Sequence, residues 1–217
     1  MSFYWVRNPS WLRRLFPPQL VWSMPSTGEP AVYLTFDDGP HTEHTPFVLD
    51  QLEAHQGKGT FFCIGDNVRK YPGVYEEIRK RGHRTGNHTF HHFNGWKTGD
   101  SEYINDVGLA RELIDSTVFR PPYGRITRRQ VQLLTKSADP YSIFMWDVLS
   151  GDFDRSISGK QCLQNVLRNI RPGSIVVFHD SDKAAAHLRF ALPEVLKHCR
   201  EQGWEIKKLP ENYDNIY

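Results

Sequence analysis

Short apolar runs and longer amphipathic stretches alternate along most of the chain. The runs at 31–36, 60–64, 84–87, 117–120, 142–146, 174–178 and 204–208 are short and rich in β-branched or aromatic residues, which predicts strands. Between them the apolar positions follow a helical period. Leu163, Val166, Leu167 and Ile170 form one stripe, Leu188, Leu192, Val195, Leu196 and Cys199 a second, and Ile104, Val107 and Ile114 mark a third. Gly82 and Gly203 each follow a polar helix end, as stop signals do. Seven strands interleaved with helices predict a parallel α/β fold, as a barrel or as an open doubly wound sheet. Both architectures place active sites at the carboxyl ends of their strands.

The first thirty residues break this pattern. They predict an irregular extension, 1–30, on a single domain, 31–217. Trp5, Trp11 and Trp22 fall here with Arg7, Arg13 and Arg14 between them, so the extension either packs on the domain or lies on a membrane surface. Pro9, Pro17, Pro18 and Pro25 oppose a long amphipathic helix. The apolar run Phe3-Tyr4-Trp5-Val6 is shorter than a secretory signal needs, and no stretch approaches the ~20 apolar residues of a membrane span. A cytoplasmic or peripheral membrane location is therefore expected. Of 217 residues 39% are hydrophobic and 24% charged, a globular composition. A net charge of +2, with basic residues scattered, gives no basis for nucleic-acid binding. Cys63, Cys162 and Cys199 form no CxxC pair and lie on apolar stretches, so they read as buried free thiols.

Chemically loaded residues fall repeatedly at predicted strand ends. The first strand runs into Asp37-Asp38-Gly39-Pro40. Adjacent carboxylates repel, a cost that a metal ion on one of them removes, leaving the other to act as a base; the segment also reads as an Asp-Gly turn. His88 and His92 follow the strand at 84–87 with spacing i, i+4, which on a helical turn brings both imidazoles to one ion. One aspartate oxygen and two imidazole nitrogens leave positions open for water and substrate, the signature of a catalytic zinc site. His91 is expected to point elsewhere. Arg120-Pro121-Pro122-Tyr123-Gly124 forms a stiff loop able to aim a backbone N–H at an oxyanion, with Arg120 free to pair with a carboxylate, or else is a surface turn. His179 ends the strand at 174–178 and suits a general acid, or is a satisfied half-buried histidine. Asp147, Asp152 and Asp154 add carboxylates to the same rim. His41, His44, His55, His83, His187 and His198 read as surface or packing residues.

Taken together, Thr35-Phe36-Asp37-Asp38-Gly39-Pro40, His88-Thr89-Phe90-His91-His92, Arg120-Pro121-Pro122-Tyr123-Gly124 and Val177-Phe178-His179-Asp180 resemble the motifs of the polysaccharide deacetylase family, the carbohydrate esterases with a NodB homology domain. Gly59-Thr60-Phe61-Phe62 with Gly65, and Gly86-Asn87 before His88, extend the likeness over about 31–182. The resemblance implies a distorted (β/α) barrel of seven or eight strands. It implies one divalent metal ion, zinc first with cobalt, nickel or manganese as other candidates, held by Asp38, His88 and His92. Asp37 would be the general base toward the attacking water and His179 the acid for the departing amine. Arg120 would orient Asp37, and the metal and the Tyr123 N–H would hold the oxyanion. Pro122, Tyr123, Phe153 and Trp96 are the expected substrate contacts, Trp96 by stacking on a sugar or else as local packing.

One motif departs from the family. Where Asp-x-x-Asp-Trp is usual, this chain reads Leu149-Ser150-Gly151-Asp152-Phe153. Leu149 replaces the aspartate that supports the catalytic histidine, so Asp147 or Asp152 is expected to take that task for His179. The implied activity is removal of N-acetyl groups from N-acetylglucosamine units of a carbohydrate polymer such as peptidoglycan or a chitin-like glycan. The alternatives are an O-acetyl esterase acting on xylan or another acetylated sugar, and a carbohydrate-binding pseudoenzyme.

Overall fold

A computed structural model describes residues 4–26 and 28–213. After a one-turn helix α1 (Ser10–Arg13), strand β1 (Leu20–Val21) and β2 (Ala31–Asp37) lead to α2 (His44–Ala54) and β3 (Thr60–Cys63). Helices α3 (Gly65–Lys70) and α4 (Pro72–Lys80) precede β4 (Arg84–Asn87); α5 (Asp100–Arg111) precedes β5 (Val118–Phe119). A 3-10 turn (Pro122–Gly124) and α6 (Arg128–Thr135) lead to β6 (Ser142–Phe144) and β7 (Val148–Leu149), then α7 (Gly159–Leu167), β8 (Ile175–His179), α8 (Ala185–Glu201) and β9 (Glu205–Ile206).

The strands form one parallel sheet in the order β1-β6-β5-β4-β3-β2-β8-β7, with β9 added beside β2. β6 lies next to one edge and β7 forms the other, yet only Met145–Asp147 separate them in sequence. The four steps from Phe144 to Val148 reach roughly 13 Å at full extension. The sheet must therefore curl until its edges meet, and it does so as a distorted, incompletely closed barrel. Its strands are buried nearly throughout, as in β2, where Val32, Leu34 and Phe36 are fully buried. The main core fills the space between this side of the sheet and the stripes of α2, α7 and α8. Cys63, Cys162 and Cys199 are unpaired and buried there. Among the described residues no helix is long and apolar enough to cross a membrane.

The segment read as irregular does more than extend the domain. β1 pairs with β6 on one edge of the sheet, while Arg7 bridges antiparallel to Val148 of β7 on the other. Leu149 N–H donates to the Val6 carbonyl at 2.8 Å and Asn8 N–H to the Asp147 carbonyl at 3.3 Å. One stretch of chain thus covers both open edges, whose unpaired backbone groups would otherwise template foreign strands. β1 and β7 are two-residue strands, too short for a period to reveal; the run read at 142–146 ends earlier, and its continuation crosses the seam.

Gly173 secures the other end of this segment. It sits at φ +86°, donates to the Ala31 carbonyl at 2.7 Å and accepts from Met24 N–H at 2.8 Å; a Cβ there would collide with the Met24 carbonyl. Gly173→Ala should therefore lose about 1–3 kcal/mol, read by urea titration; an unchanged midpoint would show that the seam tolerates displacement of residues 23–24.

Candidate active site

The carboxyl end of the sheet gathers the chemistry. Parallel register sets Asp37 directly beside His179 on one side and Phe62 on the other. Asn87 ends β4 and delivers His88; Phe119 ends β5 and delivers Arg120. These residues open into a cavity of about 560 Å³, lined among others by Asp37, Asp38, His88, His92, Tyr123 and His179.

Arg120 is fully buried, yet each of its guanidinium nitrogens is satisfied. Nε donates to the Phe144 carbonyl at 3.0 Å, Nη2 to the Met145 carbonyl at 2.9 Å, and Nη1 to Thr35 Oγ1 and Asp37 Oδ1, each at 2.7 Å. The guanidinium also lies 4.0 Å from the Phe62 ring centroid. Asp37 is thereby held against a fixed cation, one oxygen engaged.

Asp38 takes the opposite route. Its backbone turns at φ +79°, which carries its side chain away from Asp37 to the imidazoles. His92 Nε2 lies 3.1 Å and His88 Nε2 3.7 Å from Asp38 Oδ1. Burial alone would raise the Asp38 pKa, but the His92 hydrogen bond and the charges of His179, His92 and His88 outweigh it and hold the carboxyl well below its usual range.

The histidine pair is not on a helical turn, as its spacing suggested. Residues 88–92 form a loop in which Thr89 and His92 have φ of +62° and +58°. Thr89 N–H donates to Asn87 Oδ1 at 2.9 Å, and Phe93 N–H to Thr89 Oγ1 at 3.2 Å. These bonds hold a conformation that L residues rarely adopt, and the loop brings the two rings to 5.1 Å. His91 turns away to Asp106, which also accepts the Phe90 and His91 N–H groups.

Protonation distinguishes ligands from hydrogen-bond donors. His88 Nδ1 lies 2.8 Å from the Arg120 carbonyl, which can only accept, so the proton sits on Nδ1 and the Nε2 lone pair faces Asp38. Burial pushes the His88 pKa down to about 4, so the ring is neutral at pH 7. Asp38, His88 and His92 thus offer oxygen and nitrogen donors to a divalent cation, His92 by giving up the Nε2 proton it shares with Asp38. A second group, His41, His44 and Asp182, has the same residue types within the same span. There the proton lies on the wrong side. His41 Nδ1 accepts the N–H of Glu43 at 3.1 Å and of His44 at 3.4 Å, which leaves the proton on Nε2, aimed at Asp182. This group is a hydrogen-bonded clamp between α2 and the loop after β8.

His179 lines the same cavity as the Asp38 cluster. Its Nδ1–H donates to Asp152 Oδ1 at 2.8 Å and its backbone N–H to Asp152 Oδ2 at 2.7 Å. Burial would lower its pKa, but the buried Asp152 charge and hydrogen bond, with Asp38 and Asp37, raise it to about 10. Asp147, the other candidate supporter, faces away: it accepts Ile175 N–H at 2.8 Å and Ser174 Oγ at 3.1 Å. Asp180, fully buried behind Gly39, has its pKa raised to about 7 by burial.

Of the residues expected to meet substrate, Tyr123 and Phe153 line the cavity and Pro122 and Trp96 do not. Tyr123 adopts φ +60°, and its ring lies 4.6 Å from that of His92. The turn's own hydrogen bonds use the N–H of Gly124 and Arg125, not of Tyr123. Pro122 is buried in the turn. Trp96 is pinned outside, its indole N–H on the Ile126 carbonyl and the Arg125 guanidinium over its face at 4.1 Å. Phe153 meets His179 edge-on at 5.3 Å. The sequence reading missed Thr35, the shared acceptor for Arg120, and a whole wall of the cavity that includes Tyr4, Trp5 and Asn8. The density of tryptophan before residue 23 was the visible signal for that wall.

Known proteins resemble this chain in sequence and fold. The family model for polysaccharide deacetylases matches residues 25–138. A peptidoglycan-N-acetylglucosamine deacetylase of Bacillus cereus is 34% identical over 84% of this chain and 68% of its own. A chitooligosaccharide deacetylase of Azorhizobium caulinodans is 31% identical over 83% of this chain and 93% of its own. A crystal structure of a peptidoglycan N-acetylglucosamine deacetylase superposes with a TM-score of 0.83 at 31% identity, covering 94% of this chain and 95% of that one. With its curled parallel sheet and its motifs at the strand ends, the chain belongs to the polysaccharide deacetylase family, hydrolases of carbon–nitrogen bonds other than peptide bonds.

Proposed function

We propose that this protein removes N-acetyl groups from N-acetylglucosamine units of a glycan, peptidoglycan or a chitin-like polymer, with one divalent cation, zinc first, at Asp38, His88 and His92. The observation that carries the reading is the combination in one cavity of a neutral His88 presenting Nε2 to Asp38, an Asp37 held on buried Arg120, and a His179 held on Asp152. The glycan comes from relatives named as peptidoglycan-N-acetylglucosamine and chitooligosaccharide deacetylases. Cobalt, nickel or manganese would suit the same donors.

When bound, the cation supplies Lewis acidity toward the acetyl carbonyl and toward water. The chain's residues do the rest. Arg120 occupies one oxygen of Asp37 and leaves the other to accept a proton from the attacking water. The Tyr123 N–H, spared from the turn's own bonding, is a donor for the developing oxyanion. His179, with Nδ1–H committed to Asp152, directs Nε2–H toward the cavity and donates it to the departing amine. A pKa raised to about 10 keeps that proton in place at neutral pH. Asp152 thus takes the supporting task for His179 that the sequence left open between it and Asp147.

Two outcomes test this reading. Zinc-loaded protein should release acetate from chitooligosaccharide or peptidoglycan. Stripping the metal should abolish release, and Asp37→Asn should lower kcat by roughly 10²–10⁴. Acetate released only from acetylated xylan would make the protein an esterase instead, and metal binding without acetate from any substrate would make it a binding protein. Separately, Asp152 favours the protonated His179 ring, so Asp152→Asn should move the alkaline limb of the pH–rate profile down by roughly 1–3 units. Asp147→Asn should leave that limb in place. A limb unmoved in both variants would show that His179 is tuned by neither.

A further inference from the structure

The N-terminal segment, having closed the barrel seam, continues around the rim of the cavity. Tyr4, Trp5, Asn8, Phe16 and Trp22 line it together with residues of the loops that carry the family motifs. They are held from several sides. Val6 and Arg7 pair with β7, Asn8 Nδ2 donates to the Trp146 carbonyl at 3.0 Å, and Tyr4 lies 5.4 Å from Phe153, which in turn meets His179. Phe16 and Trp22 pack together at 5.2 Å, and Arg128 donates to the Leu15 carbonyl at 3.2 Å. Such anchoring gives a fixed wall, with side chains whose positions are set before a ligand arrives.

The wall combines an exposed indole with a side-chain amide. Trp5 keeps 47% of its surface exposed while lining the cavity, although a tryptophan serving only as core would be covered. An indole at the rim offers its apolar area to the C–H face of a pyranose. Beside it, Asn8 has its amide nitrogen committed to Trp146, which leaves Oδ1 to accept from a sugar hydroxyl. Trp11 is also exposed, at 60%, but it lies outside the cavity.

We propose that residues 4–22 form a substrate-binding strap, in which Trp5 and Asn8 hold the sugar next to the one being deacetylated. This rests on the glycan reading above but is tested apart from acetate release. Calorimetry on the metal-free full chain, which cannot turn the glycan over, should show Trp5→Ala weakening binding of the N-acetylglucosamine tetramer about tenfold, as loss of one stacking partner implies. Asn8→Ala should weaken it about threefold, Trp5→Phe should restore most of the affinity, and Trp11→Ala should match the parent. On zinc-loaded protein Trp5→Ala should raise KM for the tetramer with kcat held, and leave the monomer's KM unchanged. Melting temperatures separate lost binding from lost folding. Equal tetramer affinity in parent and Trp5→Ala, or no tetramer binding by the parent, would overturn the strap. A parent that binds the tetramer but releases no acetate would overturn the deacetylase reading and leave the strap standing.

Discussion

A single buried cation holds this structure and its chemistry together. Arg120 leaves the end of β5 and ties Thr35 and Asp37 of β2 to the carbonyls of Phe144, the last residue of β6, and Met145. A charge taken wholly out of water is tolerated only when paired and fully hydrogen-bonded. Each element in the cluster therefore depends on the others. Withdrawing one partner of such a pair typically costs about 3–5 kcal/mol, a large part of the stability of a domain this size. The barrel cannot relax at β2, β5 or β6 without exposing this charge, and Asp37 cannot leave its place without stranding it.

On this fixed floor the backbone adopts conformations it would avoid elsewhere. Asp38, Thr89, His92 and Tyr123 all have positive φ, and among the described non-glycine residues only Gln56 shares that feature away from the site. Each such residue costs of the order of 1–3 kcal/mol. The positions are local to the site because they turn side chains or N–H groups of adjacent residues in different directions. Asp37 faces Arg120 while Asp38 faces the imidazoles; His92 meets Asp38 while His91 goes to Asp106. Proton placement completes the distinction. His88 and His41 sit in triads of the same composition, and the carbonyl beside one and the N–H groups beside the other give them opposite tautomers.

Most of the fold was legible, and for a physical reason. Long buried strands such as β2 and amphipathic helices such as α8 write their period into the sequence, and chemically loaded residues at strand ends follow from parallel topology. Two-residue strands write no period, so β1 and β7 were hidden, and with them the closure of the seam. Spacing was misleading at His88 and His92: i, i+4 suggested a helical turn, whereas two positive φ angles brought the rings together. Asp152 and Asp147 could not be separated by spacing, since each lies within three residues of the replaced position at Leu149. Only the path of the chain after β7 turns Asp152 toward His179 and leaves Asp147 beneath Ile175. The tryptophans before residue 23 announced a surface of some kind, but which surface depended on the seam.

Asp38, His88 and His92, and not the look-alike triad or Asp37, are the proposed cation site. Anomalous diffraction at the zinc edge from crystals of zinc-loaded protein reads this directly. The expected result is a single peak within about 2.0–2.2 Å of His88 Nε2, His92 Nε2 and an Asp38 oxygen, with Asp37 still on Arg120. A peak ligated by Asp37, or one confined to His41, His44 and Asp182, would contradict it.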